Sequence, residues 1–197
     1  MIQNNIFSSY ANRGMDLEND INITNKYYLD KNIGIIYKKP TPIKVAKVIY
    51  PRKNSALITE AFYEMPSTTD YNGIYKGKYI DFDAKEVKKN KSFSLYNIHK
   101  HQIEHLKRVY EHGGISFVLV RFYVNNTTYL LETKDLINYI NNEKKSSIPI
   151  SYFETNGHKV KESYIPRVDY LKVIDELYYL EEVWKINLRN FLKGQKE

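Results

Sequence analysis

The 197-residue chain contains no cysteine. That excludes disulfides and thiolate metal sites, and it fits a reducing cytoplasm better than an oxidising compartment. Long apolar runs are missing too. Nowhere do about 18 apolar residues follow one another, so no transmembrane helix is expected. Met1 to Ala11 lacks both the charged start and the apolar core of a secretory signal. There is no internal repeat and no glycine-rich phosphate loop. With 42% hydrophobic residues, such a chain reads as one soluble compact domain. Acidic residues are the minority. Thirty Lys and Arg against 23 Asp and Glu give a net charge of +7, which favours a polyanionic partner such as nucleic acid or an anionic membrane. The 19 tyrosines suit stacking on bases or ribose, although tyrosine is also ordinary filler in an Asn/Lys/Ile/Tyr-rich composition.

In chain order, residues 1 to 12 are expected to form a polar, flexible N-terminal arm. A helix is expected from about Met15 to Asp30, with Leu17, Ile21, Thr24, Tyr27 and Tyr28 near one face. Its acidic first turn (Asp16, Glu18, Asp20) suits the positive helix end, and Glu18 is also placed to approach a nearby site. Gly34 to Lys38 reads as the first core strand, stopped by Lys39-Pro40-Thr41-Pro42. From Ile43 to Glu64, β-branched alternation carries Lys44, Lys47, Arg52 and Lys53: two strands with a basic tip, equally readable as an edge hairpin guarded by lysines. Glu86 to Ser92 is a basic loop. A helix is expected from Leu95 to His112, ended by Gly113-Gly114. Strands follow at Ile115 to Arg121 and Thr128 to Leu131, then a helix at Lys134 to Asn142. Pro149 to Asn156 reads as irregular with strand character, and a last helix as about Val168 to Leu180. The expected class is α/β, a mixed central sheet with flanking helices.

The stretch from Thr68 to Lys85 concentrates the chemistry. Lys76-Gly77-Lys78 marks a hairpin turn, and the alternation after it puts Asp81, Asp83 and Lys85 on one face of a strand with Ile80, Phe82 and Ala84 on the other. Carboxylates so placed must be solvated, paired or metal-bound. Asp70, twelve residues, then Asp83-Ala84-Lys85 is the Asp-X(n)-(Asp/Glu)-X-Lys arrangement of many metal-dependent nucleases. Two hard oxygen ligands suit Mg²⁺ or Mn²⁺, and the ammonium can orient an attacking water or offset transition-state charge. Asp-X-Lys alone also fits a solvated strand face. A rival is His101-Gln102-Ile103-Glu104-His105, an H-x-x-E-H zinc-peptidase pattern, which still needs a third ligand. The blander reading of that helix is a polar face with solvent-exposed histidines.

Six segments together resemble the RecU family of Holliday-junction resolvases: Asn12-Arg13-Gly14-Met15, Tyr37-Lys38-Lys39-Pro40-Thr41-Pro42, Ser67 to Gly77, Ile80 to Lys85, His101 to His105, and Pro166-Arg167-Val168-Asp169-Tyr170. The resemblance covers about residues 10 to 180. It implies a restriction-endonuclease-like nuclease domain over residues 13 to 180, with the 43 to 64 excursion as a protruding β stalk, and a C-terminal extension over 181 to 197. It implies a cytoplasmic homodimer that cuts opposing strands of four-way DNA junctions with Mg²⁺ or Mn²⁺ in recombination and repair, with no membrane partner. The RecA recombinase and the RuvAB branch-migration motor are further candidate partners. The residues it implies are Thr68, Asp70, Asp83 and Gln102 at the metal, Lys85 at the transition state, and Arg13, Lys38 and Lys53 against DNA. One departure touches the site: Asp83 stands where the family usually has Glu. The alternatives are a junction-binding protein without nuclease activity and the zinc peptidase.

Overall fold

The computed structural model describes residues 16–64, 67–89 and 91–180. Arg13, the N-terminal arm and the 181 to 197 extension lie outside the described residues. The elements run α1 (Leu17–Asp30), β1 (Ile35–Lys38), β2 (Ile43–Arg52), β3 (Ser55–Tyr63), β4 (Tyr71–Tyr75), β5 (Lys78–Val87) and β6 (Ser92–Ser94). After these come α2 (Lys100–Glu111), β7 (Ile115–Phe122), β8 (Thr127–Glu132), α3 (Thr133–Glu143), β9 (Ser147–Pro149), α4 (Ile150–Asn156), β10 (His158–Val160) and α5 (Tyr170–Tyr178). Six strands form the main sheet in the order β1-β4-β5-β7-β8-β10. Among the described residues, only β5 and β7 pair in parallel. A parallel pair needs a crossover, and α2 supplies it. The expected mixed sheet, flanking helices and protruding ribbon are therefore all present.

Alternation along the strands builds two cores. Ile80, Phe82 and Ala84 of β5 join Phe117 and Leu119 of β7, Leu17, Ile21 and Tyr28 of α1, and Tyr170, Leu171 and Ile174 of α5 in one cluster. Phe82 stacks between Tyr71 and Phe117, with ring centroids 4.9 and 4.7 Å away. Val87, Val118, Val120 and Phe122 join Leu106 of α2, Leu136 and Tyr139 of α3, and Phe153 of α4 in the other. Asp81, Asp83 and Lys85 have the parity of Val87, so they face the α2 side, as their spacing predicts. The β4–β5 hairpin turns on Lys76 (φ 46°) and Gly77 (φ 78°), the two left-handed residues that a tight two-residue turn requires.

Three elements differ from expectation. The helix expected from Leu95 begins at Lys100, after a 3₁₀ turn at Leu95–Asn97. The segment expected to be irregular becomes β9 followed by α4, because Ile148 and Phe153 are drawn fully into the second core. The last helix starts at Tyr170, two residues late. The β2–β3 ribbon forms a separate two-stranded sheet and is exposed along almost its whole length.

Candidate active site

The site is built where β4 and β5 run side by side beneath α2. Asp83 is fully buried on β5. Its Oδ1 accepts from Gln102 Nε2 at 3.0 Å. Its Oδ2 is ion-paired with Lys85 Nζ at 2.5 Å. Asp70, just before β4, is half-buried, and its Oδ2 accepts from the backbone N–H of Ala84 at 3.0 Å and lies 3.6 Å from Lys85 Nζ. The sheet register thus brings both carboxylates and the lysine into one cluster.

Electrostatics separates their roles. Burial pushes the Asp83 carboxyl up to about 7, Lys85 partly offsets this, and the Asp70 carboxylate adds to the rise. Burial pulls Lys85 down, but Asp83 and Asp70 outweigh it and hold the ammonium above its ordinary value. Lys85 is therefore a cation at neutral pH and is no candidate general base. Two carboxylates, one of them fully buried, share a single ammonium, so with both ionised the cluster keeps a negative charge that a further cation would offset. The donors are hard oxygens, so this set fits a divalent cation of the Mg²⁺ or Mn²⁺ kind. Thr68, two residues before Asp70, is the remaining candidate oxygen ligand, and its Oγ1 accepts from Lys39 Nζ at 3.1 Å.

Gln102 reaches the site through Asp83. Its Oε1 accepts from His99 N–H at the start of α2 (2.9 Å), so its amide presents a donor to the carboxylate. A flipped amide would set oxygen against carboxylate and NH₂ against N–H. Lys38, exposed at the end of β1, is ion-paired with Glu18, which answers where that helical acid goes. Lys53 is exposed at the β2–β3 turn, on the ribbon rather than at the carboxylates.

The two histidines of the zinc pattern go elsewhere. His101 Nε2 donates to Ser67 O and His105 Nε2 to Asp81 Oδ2, both at 3.0 Å. Among the described residues, no third His, Asp or Glu completes a site with them. His105 is also not the solvent-exposed residue of the bland reading, since it is half-buried against Asp81. Sequence reasoning missed one feature of this neighbourhood. Asp81, fully buried, forms a second ionic cluster with Lys39, Thr69, Tyr79 and His105. The period-2 pattern put Asp81 on the correct face, but its partners come from other elements.

A mixed sheet with Asp70, Asp83 and Lys85 gathered at one point defines the nuclease class that carries Asp-X(n)-(Asp/Glu)-X-Lys. The family model for RecU, "Recombination protein U", matches residues 12–176. A Holliday junction resolvase RecU from Geobacillus kaustophilus (strain HTA426) is 49% identical over 175 residues, covering 87% of this chain and 88% of the relative. Those from Geobacillus thermodenitrificans (strain NG80-2) and Bacillus mycoides (strain KBAB4) are each 48% identical, each pairing covering 87% of both chains. The chain belongs to the RecU family. A solved structure of Archaeoglobus fulgidus Hjc, a Holliday junction resolvase, matches 71% of this chain and 94% of its own at TM-score 0.41 and 11% identity, and adds nothing to that assignment.

Proposed function

We propose that the protein is a homodimeric resolvase of four-way DNA junctions, hydrolysing one phosphodiester in each of two opposing strands with Mg²⁺ or Mn²⁺. The observation that supports this best is the buried Asp83 carboxylate sharing the single Lys85 ammonium with Asp70. Asp70, Asp83 and Thr68 would hold the cation. When bound, the cation polarises a phosphate oxygen and acidifies water. The protein's own groups do the remainder. Gln102 holds the Asp83 carboxylate in one orientation, and Lys85 offsets the charge that builds on the phosphoryl oxygens. Lys38 is a surface cation beside the site that can exchange Glu18 for a DNA phosphate, and Lys53 carries positive charge out to the ribbon tip. Arg13 is assigned to DNA as well. The nuclease domain spans residues 13 to 180, and the protein acts in the cytoplasm.

Cleavage of a mobile four-way junction, with and without Mg²⁺ or Mn²⁺, tests the reading. Asp70→Asn and Asp83→Asn should abolish cleavage and leave junction binding within a few-fold, because carboxylates hold the metal while cations hold phosphates. If the parent protein bound junctions but never cut them under either metal, a binding protein without nuclease activity would be the correct reading.

A further inference from the structure

Lys39 sits immediately after β1, and its contacts converge on the segment that carries two of the three oxygen donors. Its backbone N–H donates to Asp70 O at 2.8 Å. Its ammonium donates to Thr68 Oγ1 (3.1 Å), Thr69 Oγ1 (2.5 Å) and Asp81 Oδ2 (2.6 Å). One residue thus contacts three consecutive positions, 68, 69 and 70, and all three ammonium hydrogens are used. The Asp81 carboxylate behind it is saturated: Thr69 donates to Oδ1, while Lys39, Tyr79 Oη (2.8 Å) and His105 Nε2 (3.0 Å) share Oδ2. An ionised carboxylate only accepts, so His105 carries its proton on Nε2.

Burying such a pair gains little stability over an apolar pair of similar volume, because desolvation offsets the attraction. What it does gain is geometry. Asp81 is anchored in the middle of the sheet, its backbone paired with Asn72 and Ser116. It therefore fixes Lys39 Nζ in space, and Lys39 fixes the Thr68 hydroxyl and the Asp70 backbone. We infer that Lys39 and Asp81 are positioning residues that preorganise Thr68 and Asp70 for a divalent cation, with His105 locking the orientation of the Asp81 carboxylate. The inference rests on the metal-dependent reading of the site given above.

The test is Mn²⁺ binding by calorimetry, with junction binding measured separately in chelator. Lys39→Met leaves the Asp81 carboxylate buried without its cation, so Lys39→Met/Asp81→Asn, which removes both charges together, and Lys39→Arg, which keeps a cation but not the ammonium's three-way reach, are made beside it. For those that fold, the expected result is Mn²⁺ affinity roughly 10- to 100-fold weaker, the range for loss of groups that orient metal ligands. Metal-free junction binding should stay within about twofold, and cleavage should recover at high Mn²⁺. Unchanged Mn²⁺ affinity with a lowered melting temperature makes the network merely structural and overturns the inference. Unchanged Mn²⁺ affinity with weakened junction binding makes Lys39 a DNA contact and overturns it equally. Asp70→Asn is the control: if it too binds Mn²⁺ normally, the reading of the site fails as well as the role of Lys39.

Discussion

At Asp83 and Lys85, one strand sets two groups two positions apart in the same buried face and gives them opposite tasks. Lys85 is held above its ordinary value by its two carboxylate neighbours, so in the proposed reaction it would contribute positive charge at the phosphate rather than proton abstraction. Removing one such partner from a developing oxyanion costs on the order of 10²-fold in rate, and Lys85→Ala should fall by about that much or more in single-turnover junction cleavage at saturating metal. A variant cutting at the parent rate would remove Lys85 from the mechanism. Burial outweighs the Lys85 ion pair and sets the Asp83 carboxyl at about 7 when folded against an ordinary 3.8, so it titrates in the opposite sense to an acid whose ion pair dominates. Between those values the folded chain holds a proton that the unfolded chain has lost. Raising the pH through that window therefore costs the metal-free protein stability. Metal-free melting temperatures from pH 4 to 7 should decline for the parent by more than for Asp83→Asn. Equal slopes would show that Asp83 is ionised throughout.

The ion pairs between elements decide how α1 is seated. Asp20, in the acidic first turn expected to serve the helix dipole, instead meets Arg121 of β7, with Arg121 Nη1 donating to Asp20 Oδ2 at 2.7 Å in a buried contact. Glu162 completes the site, accepting from Arg121 Nε at 3.2 Å and from the Thr128 hydroxyl at 2.5 Å. Removing one partner strands the buried guanidinium. Asp20→Ala should lower unfolding stability by about 3 kcal/mol in denaturant titrations, the low end for a broken buried pair because Glu162 remains. A change below about 0.5 kcal/mol, ordinary for a surface position, would return Asp20 to the dipole reading. The same contrast shows what the sequence made legible. Asp70, Asp83 and Lys85 could be read because period-2 spacing and one short turn place them together. The Lys39–Asp81 contact joins residues 42 apart and depends on β1 pairing with β4, a register that local pattern does not carry. Likewise α4 is helical because Phe153 fills the second core, a tertiary cause that leaves little trace in seven residues.

For the whole molecule the open physical question is selectivity. A two-carboxylate site hydrolyses a phosphodiester without reading branching, and one site cuts one strand, so junction choice must come from shape and symmetry. A two-fold dimer would set two Asp70/Asp83/Lys85 sites on opposing strands. The β2–β3 ribbon is the element with no other evident purpose. It stands apart from both cores, exposes Tyr50, Leu57, Ile58, Phe62 and Tyr63, and carries Lys44, Lys47, Arg52 and Lys53. A two-stranded ribbon showing that much apolar surface is marginal alone and suits contact with a partner. Placed at the open centre of a junction, its cations would meet phosphates and its rings would meet unstacked bases. Replacing residues 46 to 61 by a short Gly/Ser turn should therefore leave a folded, metal-binding protein whose affinity for four-way junctions falls toward its affinity for linear duplex. Both affinities should weaken steeply with salt, since phosphate neutralisation dominates each. Gel-shift titrations of junction and duplex at several salt concentrations measure the ratio directly. If the ribbonless protein keeps the parent ratio, branch selectivity resides in the sheet and helices or in the arm around Arg13, and the ribbon has some other partner.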